Sequence, residues 1–259
     1  MIYIDKCAYT NRLTHVHPLE KFVFVALTMA ICLTSNSILV PITIMTIMSY
    51  LTIFKAGIHF KFYLKLMLIP FSFLVLGILS IAINIIPNPN EALASINIFG
   101  SHYGITHQSL IYSTKLFFRS LGSVSCLYFL SLTTPLVDII SVLRKFKFSE
   151  IFLELMSLMY RLIFILIRIA GRIYSSQSSR LGHSTLKNKF KSLGALASRL
   201  FILSYKNVND LFISLESRCY SGSLNVIEKQ YKFSFKYIAF IVLIEVSLLF
   251  LQIISKKII

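Results

Sequence analysis

Few residues in this chain have the chemistry to do work, and their spacing limits what that work is. In the word SLESRCYSG (214–222), Arg218 stands between Ser217 and Cys219. An arginine flanked by small residues at a helix end is presented without steric cover. Its planar fork of donors can then reach carboxylates or carbonyls in a partner groove. Glu216 is two residues away, and residues two apart on a helix do not face each other. Lipid phosphate is the competing claim on that side chain. His15 and His17 form an HxH word beside Pro18, and His102 and His107 form a second pair. Imidazoles suit Co, Ni, Cu and Zn. Two donors are fewer than a metal site needs, so an interfacial turn explains HxH equally and no metal ligand is assigned. Lys115 and Arg119 lie one turn apart within an apolar stretch, and Glu245 is the one acid of the last such stretch. Charges placed there normally face protein, not lipid.

Catalysis would need a nucleophile–base pair, a carboxylate pair or a metal cluster. The sequence has no GxSxG, HExxH or P-loop word. No two of its acids pair within an apolar segment. A non-catalytic protein without a cofactor is expected. Cys7, Cys32, Cys126 and Cys219 show no CxxC or Cys-His metal spacing. Cys32 and Cys126 sit in apolar segments as small hydrophobes, and no disulfide is expected.

The elements that position these residues belong to a membrane protein. Of 259 residues, 56% are hydrophobic and 14% charged, where a soluble domain carries about a quarter charged residues. Mean hydropathy is +0.76. A soluble core cannot bury that surplus, and a bilayer can. The formal net charge is +16, which would fit nucleic acid if it formed one basic patch. Here Lys and Arg lie between apolar segments, as in the loops of membrane proteins, so nucleic acid is set aside as a partner.

Five segments are apolar enough to cross or line a membrane: 22–33, 38–54, 64–86, 109–132 and 235–254. The first two are short and read as a helical hairpin around TSNS. The third stops at PNPN, where proline cannot continue a helix. Residues 87–108 read as a polar loop without Lys or Arg. Lys6, Arg12, Lys21, Lys55, Lys61 and Lys65 flank the early segments, and 135–232 is rich in both cations. The positive-inside rule then predicts a cytoplasmic N-terminus, an external 87–108 loop and a cytoplasmic 135–232 region. Five crossings leave the C-terminus outside, against which Lys256 and Lys257 argue mildly. No signal-peptide core precedes the first segment, so insertion is expected to use that segment itself.

Segment 150–173 is apolar, but Glu150, Glu154, Ser157, Arg161, Arg168 and Arg172 recur at steps of three, four or seven, as one stripe of an amphipathic helix. Each mid-segment arginine costs about 2.5 to 3.5 kcal/mol on insertion, against roughly 0.3 to 0.6 returned per apolar residue. A helix at or oblique to the interface is predicted. A second amphipathic helix is predicted over 192–220, with Leu196, Leu200, Leu203, Leu211 and Leu215 on its greasier side. A short one over 135–148 opens on Pro135. The expected fold is therefore an all-α integral membrane protein with about five transmembrane helices plus cytoplasmic amphipathic helices. The expected division is a membrane bundle at 1–134, an amphipathic region at 135–232 and a final membrane helix at 233–259.

Two stretches carry a resemblance: AYTNRLTHVHPLEK (8–21), and LMYRLIFILIRIAGRIYSSQSSRLGH (158–183) with FILSYKNVNDLFISLESRCYSG (201–222). They resemble the transmembrane T component of energy-coupling factor (ECF) transporters, in particular the cobalt and nickel branch, the CbiQ-like proteins. The resemblance runs through nearly the whole chain. It implies a scaffold whose long coupling helices carry two Ala-Arg-Gly-like words that dock into two ATP-binding cassette ATPase subunits. It also implies a membrane substrate-binding (S) subunit of the metal type as partner, with the bilayer around both. Here the words are Ser179-Arg180-Leu181, followed by Gly182, and Ser217-Arg218-Cys219. Serine replaces alanine, and leucine and cysteine replace glycine, while both arginines are kept. The alternatives are a T component of a vitamin-type or shared ECF transporter, or a stand-alone transporter or channel, which would need inward polar residues in several spans or an internal repeat.

Overall fold

The computed structural model describes residues 2–85, 92–98, 101–220, 231 and 235–258, with side chains over 4–81, 106–220, 231 and 235–255. The PNPN break at 87–90, Glu91, the end of the SLESRCYSG word from 221, Glu228, and the side chains of His102, Lys256 and Lys257 lie outside the described residues. The elements are α1 (Ile2–Thr10), α2 (Pro18–Thr34), α3 (Leu39–Tyr50) running into a π-helical turn (Leu51–Lys55), α4 (Phe60–Ala82), β1 (Ile83–Ile85), β2 (Ala92–Ile98), β3 (Ser101–Thr106), α5 (His107–Thr133), α6 (Leu136–Lys145), α7 (Glu150–Ser179), α8 (Leu186–Glu216) and α9 (Phe235–Ile258). They form two compact units, Met1–Ile139 with Gln230–Ile259, and Ile140–Lys229.

The first unit is built around α5, which packs against α1, α2, α3 and α4. α4, α5 and α9 are long and apolar enough to cross a membrane. α2 has 17 residues, and α3 with its π turn covers Leu39–Lys55, the lower end of the range that spans about 30 Å of hydrocarbon. The chain is thus an all-α integral membrane protein apart from one small sheet, with α4, α5 and α9 as its long apolar helices among the described residues. Its interior is closed by Phe24, Ile44, Met48, Cys126, Phe129 and Leu248. Gly122 lets α5 approach the α2–α3 hairpin closely: a Cβ there would lie 2.8 Å from Cys32 Sγ and 3.1 Å from the Pro41 carbonyl oxygen.

Two local expectations change. α4 ends at Ala82, not Ile86, and the chain between α4 and α5 contains a small antiparallel sheet of order β1-β3-β2 where an irregular loop was expected. The hairpin β2–β3 pairs Ile98 with Ser101 and Ala94 with Ile105. Backbone pairing organises this segment without the long apolar run that marks a helix in a sequence, which is why periodicity did not find it.

The second unit holds α7 and α8. Along α7, Glu154 is buried and Ser157 half-buried, while Arg161, Arg168 and Arg172 are exposed. Ile151, Phe152, Leu155, Met159 and Ile163 are exposed as well. α8 has 31 residues and buries none of them. Its five predicted leucines, 196, 200, 203, 211 and 215, are half-buried, and Phe190, Phe201, Tyr205 and Phe212 are exposed. Helix α8 starts at Leu186, six residues before the expected start, because Thr185 caps it by accepting from the Asn188 amide.

Candidate docking site

Both arginine words fold into one and the same backbone motif. At the end of α7 the Gly182 amide donates to the Gln177 carbonyl at 2.8 Å and the Leu181 amide to the Ser178 carbonyl at 3.1 Å. At the end of α8 the Tyr220 amide donates to the Leu215 carbonyl at 3.1 Å and the Cys219 amide to the Glu216 carbonyl at 3.0 Å. This 6→1 and 5→2 pairing is the Schellman C-terminal cap. Ser179 is the last residue of α7 and Arg180 its C-cap, whereas Ser217 is the C-cap of α8 and Arg218 follows it. In both words the residue after the arginine takes the left-handed conformation, Leu181 at φ 56° and Cys219 at φ 57°. The family-like glycine at that third place is thereby explained: it is the residue that adopts positive φ without a Cβ clash. Replacing it has left the backbone geometry in place.

Arg180 and Arg218 are exposed, as are Ser179, Leu181, Ser217 and Cys219, whereas Gly182 is half-buried. A guanidinium at a helix C-terminus also meets the negative end of the helix dipole, which favours its placement there. The two arginines sit at opposite ends of α8, whose 31 residues extend for about 45 Å at 1.5 Å per residue. Lys147, with φ 57°, closes α6 in the same way but places Phe146 at the C-cap. The cap is thus a general device of this chain, and the arginine is what distinguishes two of its three copies among the described residues.

Neighbouring contacts fix the ends of α7 and α8. Gln177 Nε2 donates to the Ser192 carbonyl at 3.0 Å, and the Ser192 hydroxyl donates to the Gly182 carbonyl at 2.8 Å. A Cβ on Gly182 would lie 2.7 Å from Ser192 Oγ and 2.8 Å from the Gln177 carbonyl oxygen, so this turn requires glycine. The Tyr174 and His183 rings stack at 4.6 Å. Just past the other end of α8, the Tyr220 hydroxyl donates to Glu154 Oε2 at 2.8 Å, and this bond is the main cause raising the phenol's pKa.

The N-terminal word has a different role, in the first unit. Asn11 is buried and its Nδ2 donates to the carbonyls of Ala8 at 2.7 Å, Thr133 at 3.2 Å and Leu132 at 3.3 Å. Lys21 Nζ donates to the Thr133 carbonyl at 3.0 Å. The Leu132 and Thr133 carbonyls end α5, where Pro135 has no N–H to continue the ladder, so side chains supply the missing donors. His17 is the N-cap of α2, its Nδ1 accepting from the Leu19 amide at 3.1 Å, while His15 is exposed. One imidazole is buried as a cap and the other faces outward, so the HxH word does not act as a pair. Tyr231 lies 6.0 Å from the His17 ring and donates to Asp138 Oδ2 at 2.8 Å. Burial, with that bond, raises the Tyr231 pKa. Arg119 donates to the Ser35 carbonyl and to Asn36 Oδ1, holding the α2–α3 turn. Among the described residues no group of three or more His, Cys, Asp and Glu is placed to hold a metal ion. The sequence reading missed the closing of α5 by Asn11 and Lys21. The signal was present as a helix stopped by TTP with no glycine or basic residue of its own to cap it.

The fold and these contacts define an integral membrane protein that carries a pair of long amphipathic helices. The chain belongs to the CbiQ cobalt transport protein family, the cobalt-branch transmembrane T components of energy-coupling factor transporters; the family model matches residues 10–231. It is 36% identical over 253 residues to an uncharacterised protein of Methanocaldococcus jannaschii, covering 98% of this chain and 93% of that one. It is 32% identical over 228 residues to a Methanocorpusculum labreanum protein named as a fused cobalt transport protein CbiMQ, covering 88% of this chain and 38% of that longer one. It is 31% identical over 129 residues to the energy-coupling factor transporter transmembrane protein EcfT of Lactococcus lactis, covering 46% of this chain and 48% of that one. The chain is therefore a membrane component of a transporter of this family.

Proposed function

We infer that this chain is the coupling scaffold of an ECF-type importer, passing the movement of two ATP-binding cassette ATPase subunits to a membrane substrate-binding subunit. The observation that carries this reading is the duplication of one motif. Ser179-Arg180-Leu181 and Ser217-Arg218-Cys219 share a backbone geometry and lie at the two ends of a helix about 45 Å long. Two like plugs that far apart suit two like sockets, as a pair of identical or homologous ATPase subunits offers. Arg180 and Arg218 are the anchors, and Ser179, Leu181, Gly182, Ser217 and Cys219 shape their presentation. A desolvated arginine anchor is typically worth about 2 kcal/mol or more. Because each arginine ends a long helix, displacement of the socket moves the helix as a lever.

The N-terminus and α6–α8 face the cytoplasm in this reading, since the cations concentrate there. The chain divides functionally into the bundle at 1–134, the coupling region at 135–232 and the last membrane helix at 233–259. The substrate is cobalt, or nickel by the same imidazole- and oxygen-tolerant chemistry. The family match supports this, as does the relative in which a CbiQ part is fused to a CbiM part. The test is reconstitution with the ATPase and substrate-binding subunits. Arg218→Glu, and separately Arg180→Glu, should abolish ATPase co-purification and ATP-driven cobalt uptake. Unchanged uptake by both variants refutes the anchor role.

A further inference from the structure

The geometry points to a binding site for one anionic glycerophospholipid in the first unit, at the end of the bundle where α2 and α9 begin and the π turn after α3 ends. A half-open cavity of about 240 Å³ lies there. Its floor is apolar and buried, formed by Phe24, Leu51 and Phe129, and Phe240 of α9 makes one wall. Lys21, Lys55 and Lys236 also line it, and no acidic residue does among the described residues.

Lys55 and Lys236 place two ammonium groups beside one apolar cavity, and an anion between them lowers their mutual repulsion. Lys21 is buried and engaged with the Thr133 carbonyl, so it serves the fold and is not counted in the site. Lys55 and Lys236 are exposed. Lys55 Nζ stands 5.3 Å from the centroid of the Phe240 ring, a cation–π contact that holds the ammonium over the wall of the cavity. Lys236 lies in the first turn of α9. A lysine there adds to the positive end of the helix dipole instead of opposing it, and both favour an anion. The lysine stems cover apolar surface while their heads stay at the interface.

One class of ligand satisfies both halves of this site: a molecule with a phosphate head and a hydrocarbon tail. Inorganic phosphate would leave the apolar floor unfilled, and a zwitterionic lipid would bring a cation toward the lysines. Basic pockets between membrane helices are where acidic headgroups bind. The cavity admits the first part of one chain, while the rest of the lipid stays in the bilayer.

The experiment uses the full chain in nanodiscs of phosphatidylcholine doped with phosphatidylglycerol, with retained lipid read by native mass spectrometry. The wild type should keep one phosphatidylglycerol per chain, and excess inorganic phosphate should not displace it. Lys55→Gln with Lys236→Gln should lower retention roughly ten- to thirtyfold, and Lys55→Arg with Lys236→Arg should preserve it. Equal retention of phosphatidylcholine, or retention unchanged in the glutamine pair, overturns the proposal. Displacement by phosphate alone would make this a free-anion site and also overturns it. If the glutamine pair fails to fold, the wild-type lipid preference and the phosphate competition decide the matter without a variant.

Discussion

The cations of the two units are used in opposite ways. In the membrane unit, Lys21 and Arg119 each donate to a backbone carbonyl left open at a helix end, the first at Thr133 and the second at Ser35. Asn11 does the same without a charge. In the second unit Arg180 and Arg218 also sit at helix ends, but there the backbone caps itself through Schellman pairs and both side chains are exposed. The same residue type at the same kind of position is consumed internally in one unit and presented outward in the other. A self-sufficient cap releases its side chain for a partner, whereas an open helix end takes the side chain for the fold.

That contrast predicts a clean separation of phenotypes. The largest effect is expected for Arg180→Glu combined with Arg218→Glu. Each loss should weaken ATPase docking by about 2 kcal/mol or more, roughly thirtyfold per site. The isolated subunit's thermal unfolding in detergent should stay unchanged. A large drop in thermal stability would show that these arginines serve the fold and would erase the contrast. The converse variant is Asn11→Ala, which leaves buried carbonyls at the end of α5 with fewer donors. It should cost about 2 kcal/mol of stability, read as a lower unfolding temperature. The surviving folded fraction should still bind the ATPase subunits. Wild-type stability in that variant would mean that water replaces the amide.

A smaller effect separates the two phenols that bond carboxylates, Tyr231 with Asp138 in the first unit and Tyr220 with Glu154 in the second. Burial is the leading cause for Tyr231, and the hydrogen bond for Tyr220. Both folded pKa values are raised, so each contribution is present in full below the unfolded value near 10 and is lost as pH rises through the folded one. Tyr220→Phe should speed amide exchange in the last turn of α8 at neutral pH and leave α5 unaffected. In an alkaline titration of tyrosinate absorbance, Tyr220 should ionise before the more buried Tyr231. An unperturbed titration of the residue lost in Tyr220→Phe would remove the pin between α7 and α8.

How much of this was legible in the sequence depends on the range of the forces involved. The apolar segments, the arginine stripe of α7 and the leucine face of α8 are periodic, and period alone places them. The two arginine words were found by resemblance, but their geometry was not. A Schellman cap is usually signalled by glycine, and Leu181 and Cys219 hide it. The partners of Asn11 and Lys21 lie more than a hundred residues along the chain, so neither their burial nor their role could be read locally. The sheet of β1–β3 was missed because short strands carry no pattern longer than a few residues.

The smallest effect tests that hidden cap directly. Leu181 and Cys219 hold φ near 57° with a Cβ, a conformation that costs an L-residue on the order of 1 kcal/mol and glycine almost nothing. Leu181→Gly and Cys219→Gly should each raise stability by a few tenths of a kcal/mol up to about 1 kcal/mol, since glycine's extra freedom in the unfolded chain offsets part of the relief. The arginine would be presented from an unchanged backbone, so docking should hold. Leu181→Val and Cys219→Val, with a branched Cβ at positive φ, should do the reverse and weaken docking along with the cap. If valine at either place weakens neither, the third residue of the word is not under conformational constraint. Its identity would then have to be set by the surface it meets and not by the turn it makes.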